Sequence, residues 1–90
     1  MILDTDKIKE LYGQNIFYKV KDYIEDITAN MNYLSNRGIK NVYHVLETNL
    51  MIFIQPEDIF QEKTNQFFER LGVEYIEKLE NDMTLWEQLE

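Results

Sequence analysis

The stretch VYHVLETNLMIFIQ, residues 42–55, decides which fold class the sequence predicts. It is rich in Val, Ile, Phe and Tyr, which are enriched in β-strands. We therefore predict two strands, over residues 41–47 and 50–55, joined by a short turn. The turn lacks the Asn-Gly or Asp-Gly pair that two-residue hairpins favour. A helix is the competing interpretation, and it would bury Ile39, Val42, Leu46 and Leu50.

Upstream of this stretch, the sequence predicts a long helix over about residues 15–37. Its apolar residues recur at spacings of three and four, which places them on one side of a helix: Phe17, Val20, Ile24, Ile27, Met31 and Leu34. Gly38 is expected to end this helix, with Ile39 contacting Leu34 in a Schellman cap. A short helix over residues 4–12, capped by Asp4 or Thr5 and ended by Gly13, is predicted before it.

A second strong helix is predicted downstream, over residues 56–71. Pro56 suits the first helical position because no amide hydrogen is needed there. Gly72 and Val73 are expected to repeat the upstream cap, with Val73 contacting Phe68. Residues 73–79 fit a strand or a helix, and we predict a strand. A final helix over residues 82–89 would be opened by a capping box, with Thr84 at the N-cap and Glu87 three residues later.

Together these elements predict a single α+β domain over residues 1–90, with the order α-α-β-β-α-β-α. The helices 15–37 and 56–71 would pack on one face of a three-stranded mixed sheet. With residues 1–3 as an extra strand, the element order is similar to that of ferredoxin-like folds, by analogy of order alone. The alternative is a mostly α-helical domain with one β-hairpin. No internal repeat of solenoid length is expected.

The sequence contains no motif that predicts catalysis, a cofactor or a metal site. Cysteine is absent, and the one histidine, His44, would lie on the strand face opposite Glu47. No glycine-rich phosphate loop or nucleophile elbow occurs. Carboxylate pairs are frequent among 17 acidic residues, so their adjacency does not indicate acid–base chemistry. We therefore predict a protein that is not an enzyme and that needs neither cofactor nor metal.

Charge is distributed unevenly along the chain. The formal net charge is -8, and all of it lies in residues 46–90 because acids and bases balance in the first half. On the predicted helix 56–71, four polar residues form an exposed ridge opposite the apolar stripe: Asp58, Glu62, Asn65 and Glu69. With Glu74 and Glu77, this ridge is the predicted partner-binding site.

These features suggest a small, cytoplasmic, non-enzymatic protein-binding module. Its acidic C-terminal half would dock a basic or nucleic-acid-binding protein, a mode common among inhibitors, immunity proteins and phage proteins. Direct nucleic-acid binding is not expected, because it needs a basic surface. Neither a membrane span nor a secretory signal is predicted. The alternative is a self-associating structural domain, suggested by the apolar seam over residues 17–34 and by Trp86 and Leu89.

Overall fold

The computed structural model describes residues 5–89 and shows an all-α fold. The α-helices are Thr5–Val20 (α1), Ile24–Asn36 (α2), Val42–Thr48 (α3), Glu57–Leu71 (α4) and Tyr75–Asn81 (α5). Short 3₁₀ helices cover Lys21–Tyr23, Leu50–Phe53 and Met83–Leu89. No strand occurs within residues 5–89. The predicted α+β fold with a three-stranded sheet is therefore wrong, and so is the hairpin of the mostly helical alternative.

The stretch 42–55 is helical because its buried residues follow a helical period. Val42, Val45 and Leu46 are buried in α3, whereas His44 and Glu47 are exposed. Spacings of three and four place the buried side chains on one side of a helix, while a strand would have alternated them. Strand propensity depends on context, and here the burial of one helical stripe overrides it. The competing helical interpretation of this stretch is the one that the structure supports.

The last segment is helical as well, although a strand over residues 73–79 was predicted. In α5, Leu79 is buried and the side chains of Tyr75 and Ile76 are half-buried. Residues 83–89 form a 3₁₀ helix, and the predicted Thr84 cap is wrong. Instead, Asp82 Oδ1 accepts hydrogen bonds from the Thr84 amide at 3.1 Å and the Thr84 hydroxyl at 2.5 Å. An acidic side chain that bonds the backbone two residues later favours a turn over a longer helix.

The two strongest helix predictions are confirmed, with one break. α4 matches the predicted helix except at its start, because Pro56 is the N-cap and not the first helical residue. The predicted helix 15–37 is divided by the 3₁₀ turn at Lys21–Tyr23. The backbone of Gly13 is non-helical, with φ 82° and ψ 171°, so the predicted stop is a kink within α1. The predicted Asp4 cap and the extra strand over residues 1–3 lie outside the described residues.

The Schellman cap at the end of α2 is confirmed in both of its hydrogen bonds. The Ile39 amide donates to the Leu34 carbonyl and the Gly38 amide to the Ser35 carbonyl, each at 3.1 Å. Gly38 has a φ of 95°, a left-handed conformation that glycine adopts without a steric cost. Ile39 and Leu34 are both buried, as expected for the apolar pair of this cap.

The order of elements repeats along the chain. Residues 24–53, the first unit, and residues 57–89, the second unit, each contain a long helix, a glycine turn, a short helix and a 3₁₀ helix. The turn glycines, 38 and 72, are 34 positions apart and both have positive φ. At this spacing four pairs of buried residues coincide, Asn30 and Thr64, Leu34 and Phe68, Val45 and Leu79, and Ile52 and Trp86, whereas Met31, Ile39 and Leu46 correspond to exposed residues. The two units thus share an order of elements and part of their burial pattern, and the absence of a sequence repeat of solenoid length stays a prediction.

The core lies between α2 and α4 and is closed by the shorter helices. The rings of Phe53 and Phe60 stack at a centroid distance of 5.7 Å. In the second unit, the ring centroid of Trp86 lies 6.1 Å from that of Phe67 and 6.3 Å from that of Phe68. Tight packing of these aromatic side chains supplies much of the apolar area that so small a domain needs.

Candidate docking surface

The predicted ridge lies on the outer face of α4. Asp58, Glu62, Asn65 and Glu69 are all exposed, opposite the buried Phe60, Thr64, Phe67 and Phe68. Because each helical residue adds 1.5 Å, the ridge is about 16 Å long. Glu74 directly precedes α5 and Glu77 lies in its first turn, and both are exposed. The carboxylates thus continue from α4 across the turn to α5.

Five of these six residues have no partner within the described part of the chain. The carboxylates of Asp58, Glu62, Glu69, Glu74 and Glu77 make no hydrogen bond or ion pair there. From α2 to the end of the described chain, residues 24–89, the ion pair within 4.0 Å joins His44 and Glu47, which lie outside this ridge. The acidic side chains are therefore exposed and their charges are not paired within the described residues.

Asn65 is different, because it connects α4 to α2. Its Oδ1 atom accepts hydrogen bonds from the Tyr33 hydroxyl and from Nη1 of Arg37. Nη1 of Arg37 also donates to the Tyr33 hydroxyl at 2.8 Å. The side chain at the middle of the ridge is therefore hydrogen-bonded within the molecule, and the guanidinium group of Arg37 lies beside it. Sequence analysis missed Arg37, which is 28 positions from Asn65 and meets it only through the packing of α2 on α4.

Arg37 is held in a cluster of aromatic rings. Its guanidinium carbon lies 5.0 Å from the ring centroid of Phe68, 5.6 Å from that of Tyr75 and 5.8 Å from that of Tyr33. Burial acts to lower the pKa of Arg37, but hydrogen bonding to the phenol groups of Tyr33 and Tyr75 outweighs it and raises the pKa. Cation–π attraction and these hydrogen bonds fix a permanent positive charge at this position.

An open pocket of about 270 Å³ adjoins this cluster, where α4 turns into α5. It is lined by Arg37, Phe68, Glu69, Gly72, Val73 and Tyr75. The predicted second cap is only partly confirmed here. The Gly72 amide donates to the Phe68 carbonyl at 3.0 Å, but Val73 is 98% exposed and does not cover Phe68. An apolar side chain therefore projects into solvent in the middle of the acidic surface.

Two further surface features flank the same helices. An apolar groove of about 290 Å³ lies where α1 meets the first 3₁₀ helices, lined by Ile16, Val20, Tyr23, Leu50, Met51 and Ile54. Met51 is 68% exposed there. A polar pocket of about 190 Å³ lies on another flank of α4, lined by Lys63, Gln66, Arg70, Gln88 and Leu89. The cations of α4 therefore lie apart from its acidic ridge.

His44 is not part of any metal-binding arrangement. It is exposed on α3, with Nδ1 3.9 Å from Oε2 of Glu47. The prediction that the two residues lie on opposite faces is wrong, because a spacing of three places them on the same side of a helix. Within residues 5–89, no group of three or more His, Cys, Asp or Glu side chains could hold a metal ion. None of the described helices combines the length and the apolar character that a membrane span requires.

Comparison with known proteins finds no match to a family model, a curated protein or a solved structure. Two surface features remain from which to infer a function. One is the set of unpaired carboxylates on α4 and α5, and the other is the pocket beside Val73.

Proposed function

We propose that this chain is a small, non-enzymatic module that docks a basic protein partner. The observation that supports this most is the set of exposed carboxylates without intramolecular partners: Asp58, Glu62, Glu69, Glu74 and Glu77. A partner's lysines and arginines could pair with them without first breaking an interaction inside the chain. Binding would therefore not incur the cost of a lost internal ion pair.

The segregation of charge supports the same function. Lys63 and Arg70 of α4 line the polar pocket with Leu89, so they do not neutralise the acidic ridge. A surface of one sign attracts an oppositely charged partner over roughly a Debye length, about 8 Å at physiological salt, and so accelerates encounter. The same field repels nucleic-acid phosphates, so we propose a basic or nucleic-acid-binding protein as the partner and no direct contact with nucleic acid. A cytoplasmic location is part of this proposal.

The decisive test is a charge reversal with a matched control. The variant Asp58→Lys, Glu62→Lys and Glu69→Lys changes only exposed residues, so its fold should be retained. The control Glu10→Lys, Asp22→Lys and Glu25→Lys changes the net charge equally on exposed positions elsewhere. A partner captured from lysate at low salt should be lost with the first variant and kept with the control. Retention by the first variant, or equal loss in both, would overturn the proposal.

Self-association is a second candidate, favoured by the apolar groove that contains Met51. Two of the residues that suggested self-association in the sequence are not available on the surface, because Trp86 is fully buried and Leu89 is only 3% exposed. Most of the seam over residues 17–34 is also used in the core of the chain itself. Sedimentation of the wild type and of Met51→Glu tests this candidate. A mass that stays monomeric at every concentration would reject it.

A further inference from the structure

Each unit has a turn at a glycine with positive φ, and the two turns differ in their surroundings. At Gly38, an added Cβ atom would lie 2.7 Å from Cδ1 of Ile76, whereas at Gly72 it would meet nothing within 4 Å. The residues that follow differ in the same way, since Ile39 is 4% exposed and Val73 is 98% exposed. The first turn is thus covered by packing, and the second is open.

The first turn is covered by an element of the second unit, which indicates what kind of structure can pack on a glycine turn of this chain. It is the helix α5, which places the aliphatic side chain of Ile76 on Gly38. The Tyr75 hydroxyl of the same helix donates to the Arg37 carbonyl at 2.6 Å, at the end of α2. A glycine is useful at such a point because the absence of a side chain lets a neighbouring element approach closely.

The second turn presents an equivalent apolar surface. Phe68, Gly72, Val73 and Tyr75 contribute to its pocket of about 270 Å³. The Leu71 carbonyl, equivalent to that of Arg37, accepts a hydrogen bond from Nζ of Lys78 at 2.5 Å. Because this carbonyl already has a donor and the pocket is lined by Phe68, Val73 and Tyr75, the contact that the open turn offers is chiefly apolar.

The charges around the pocket define the occupant further. Glu69 lines it, Glu74 follows Val73 directly, and both carboxylates are unpaired within the described residues. The cation of Arg37 already lies against Phe68 and Tyr75 on the inner side. A partner's positive groups would therefore meet less repulsion at the rim, beside Glu69 and Glu74, than among the rings.

We propose that the pocket at Gly72 and Val73 is the anchor of the docking surface. It receives an amphipathic helix of the partner, which inserts one aliphatic side chain there and places basic residues against Glu69 and Glu74. This arrangement of a buried apolar centre within a charged rim is the usual anatomy of a binding hot spot. The inference rests on the proposed function and adds to it the chemistry of the partner.

A pair of synthetic peptides tests the anchor. The first copies residues 73–82 of this chain with Glu74, Glu77 and Glu80 replaced by Lys, and carries a staple because so short a helix is unstable alone. The second is identical except for Ile76→Ser. Each is titrated into the full chain, and binding is followed by amide chemical shifts. We expect the first peptide to shift residues 68–75 and to bind about tenfold or more tightly than the second.

Two variants of the chain complete the test. Val73→Ser should weaken the first peptide several-fold without unfolding, because Val73 is 98% exposed. Tyr18→Ser, at another large exposed side chain, should leave the affinity unchanged. Equal affinity for both peptides, or no binding of either, would overturn the anchor.

The outcomes separate the anchor from the proposed function. If both peptides bind equally and both are lost with Asp58→Lys, Glu62→Lys and Glu69→Lys, then the acidic surface docks basic partners without the anchor. If the first peptide still binds more tightly than the second after that charge reversal, and if salt does not change its affinity, then the acidic docking function is wrong. In that case only the apolar contact is supported.

Discussion

Ile76 lies directly over Gly38, so that α5 of the second unit packs on the turn that ends α2 of the first. A Cβ atom at position 38 would come within 2.7 Å of Ile76 Cδ1. The contact joins the two units at a point where only glycine combines a positive φ with so close an approach. Gly72 provides a comparison, because its φ is also positive but an added Cβ atom there would meet nothing within 4 Å.

Gly38→Ala should destabilise the chain more than Gly72→Ala. Both substitutions force a side chain to adopt a positive φ, at a cost of about 1–3 kcal/mol. At Gly38 the new methyl group must also displace Ile76, which adds about 1 kcal/mol or more. Urea unfolding of the two variants measures the difference. Equal losses would contradict the close packing of α5 on this turn.

Asn30→Ala should be strongly destabilising, whereas Thr64→Val at the equivalent position should not. The Asn30 amide is fully buried and donates to the Phe53 carbonyl at 2.9 Å and the Gln55 carbonyl at 3.0 Å. Removing it leaves two carbonyls without their donor, at a cost of about 2 kcal/mol or more. The buried Thr64 hydroxyl has no hydrogen-bond partner among the described residues, so an isosteric apolar side chain should be neutral or stabilising. Thermal unfolding of both variants measures the difference. A larger loss of stability for Thr64→Val than for Asn30→Ala would contradict the prediction.

Tyr12 should titrate well above an ordinary tyrosine. Its hydroxyl donates to the Leu46 carbonyl, and burial together with the nearby Glu47 carboxylate raises the pKa of Tyr12 to about 12. The raised pKa favours the neutral form in the folded state. Its contribution to stability is therefore complete below pH 10 and is lost as the pH rises towards 12. The free energy of unfolding of Tyr12→Phe should fall less steeply than that of the wild type over this window, and parallel curves would contradict the assignment.

The elements that sequence analysis predicted correctly are those determined by local signals. The Gly38 cap needs only the residues around Leu34 and Ile39, and α4 is specified by its own apolar stripe. Residues 42–55 were not decided locally, because strand propensity and a helical stripe both fit. Their outcome depends on burial against α2, which Asn30 fixes through the Phe53 carbonyl.

The surface shows the same division between local and long-range information. The exposure of Asp58, Glu62 and Glu69 follows from their places on α4 and could be predicted. The cation beside Asn65 could not, because Arg37 comes from the end of another helix. Nor could the exposure of Val73, since its counterpart Ile39 is buried after a glycine in the same sequence context. The two turns differ in their hydrogen bonds and in the packing of α5, which covers only the first.

Asn65→Asp should stabilise the fold while adding little to the attraction of a basic partner. The aspartate carboxylate would occupy the position of the Asn65 side-chain amide, whose Oδ1 atom accepts hydrogen bonds from Tyr33 and Arg37. Pairing with Arg37 should raise the free energy of unfolding by up to about 1 kcal/mol at low salt, because the site is exposed. The new charge is largely compensated by Arg37, so the on-rate for the basic stapled peptide should change little.

Gln66→Glu is the matched comparison, since Gln66 is exposed on α4 and lies farther from this cation, in the polar pocket with Lys63 and Arg70. A carboxylate added at position 66 should likewise be compensated, by Lys63 and Arg70. Neither Asn65→Asp nor Gln66→Glu should therefore change the on-rate as much as Glu69→Gln does. Glu69→Gln, at the rim of the apolar pocket, should slow association and reduce its salt dependence. Stopped-flow measurement of the three variants tests whether the unpaired carboxylates, rather than total charge, determine encounter. A uniform dependence of the on-rate on net charge would contradict that conclusion.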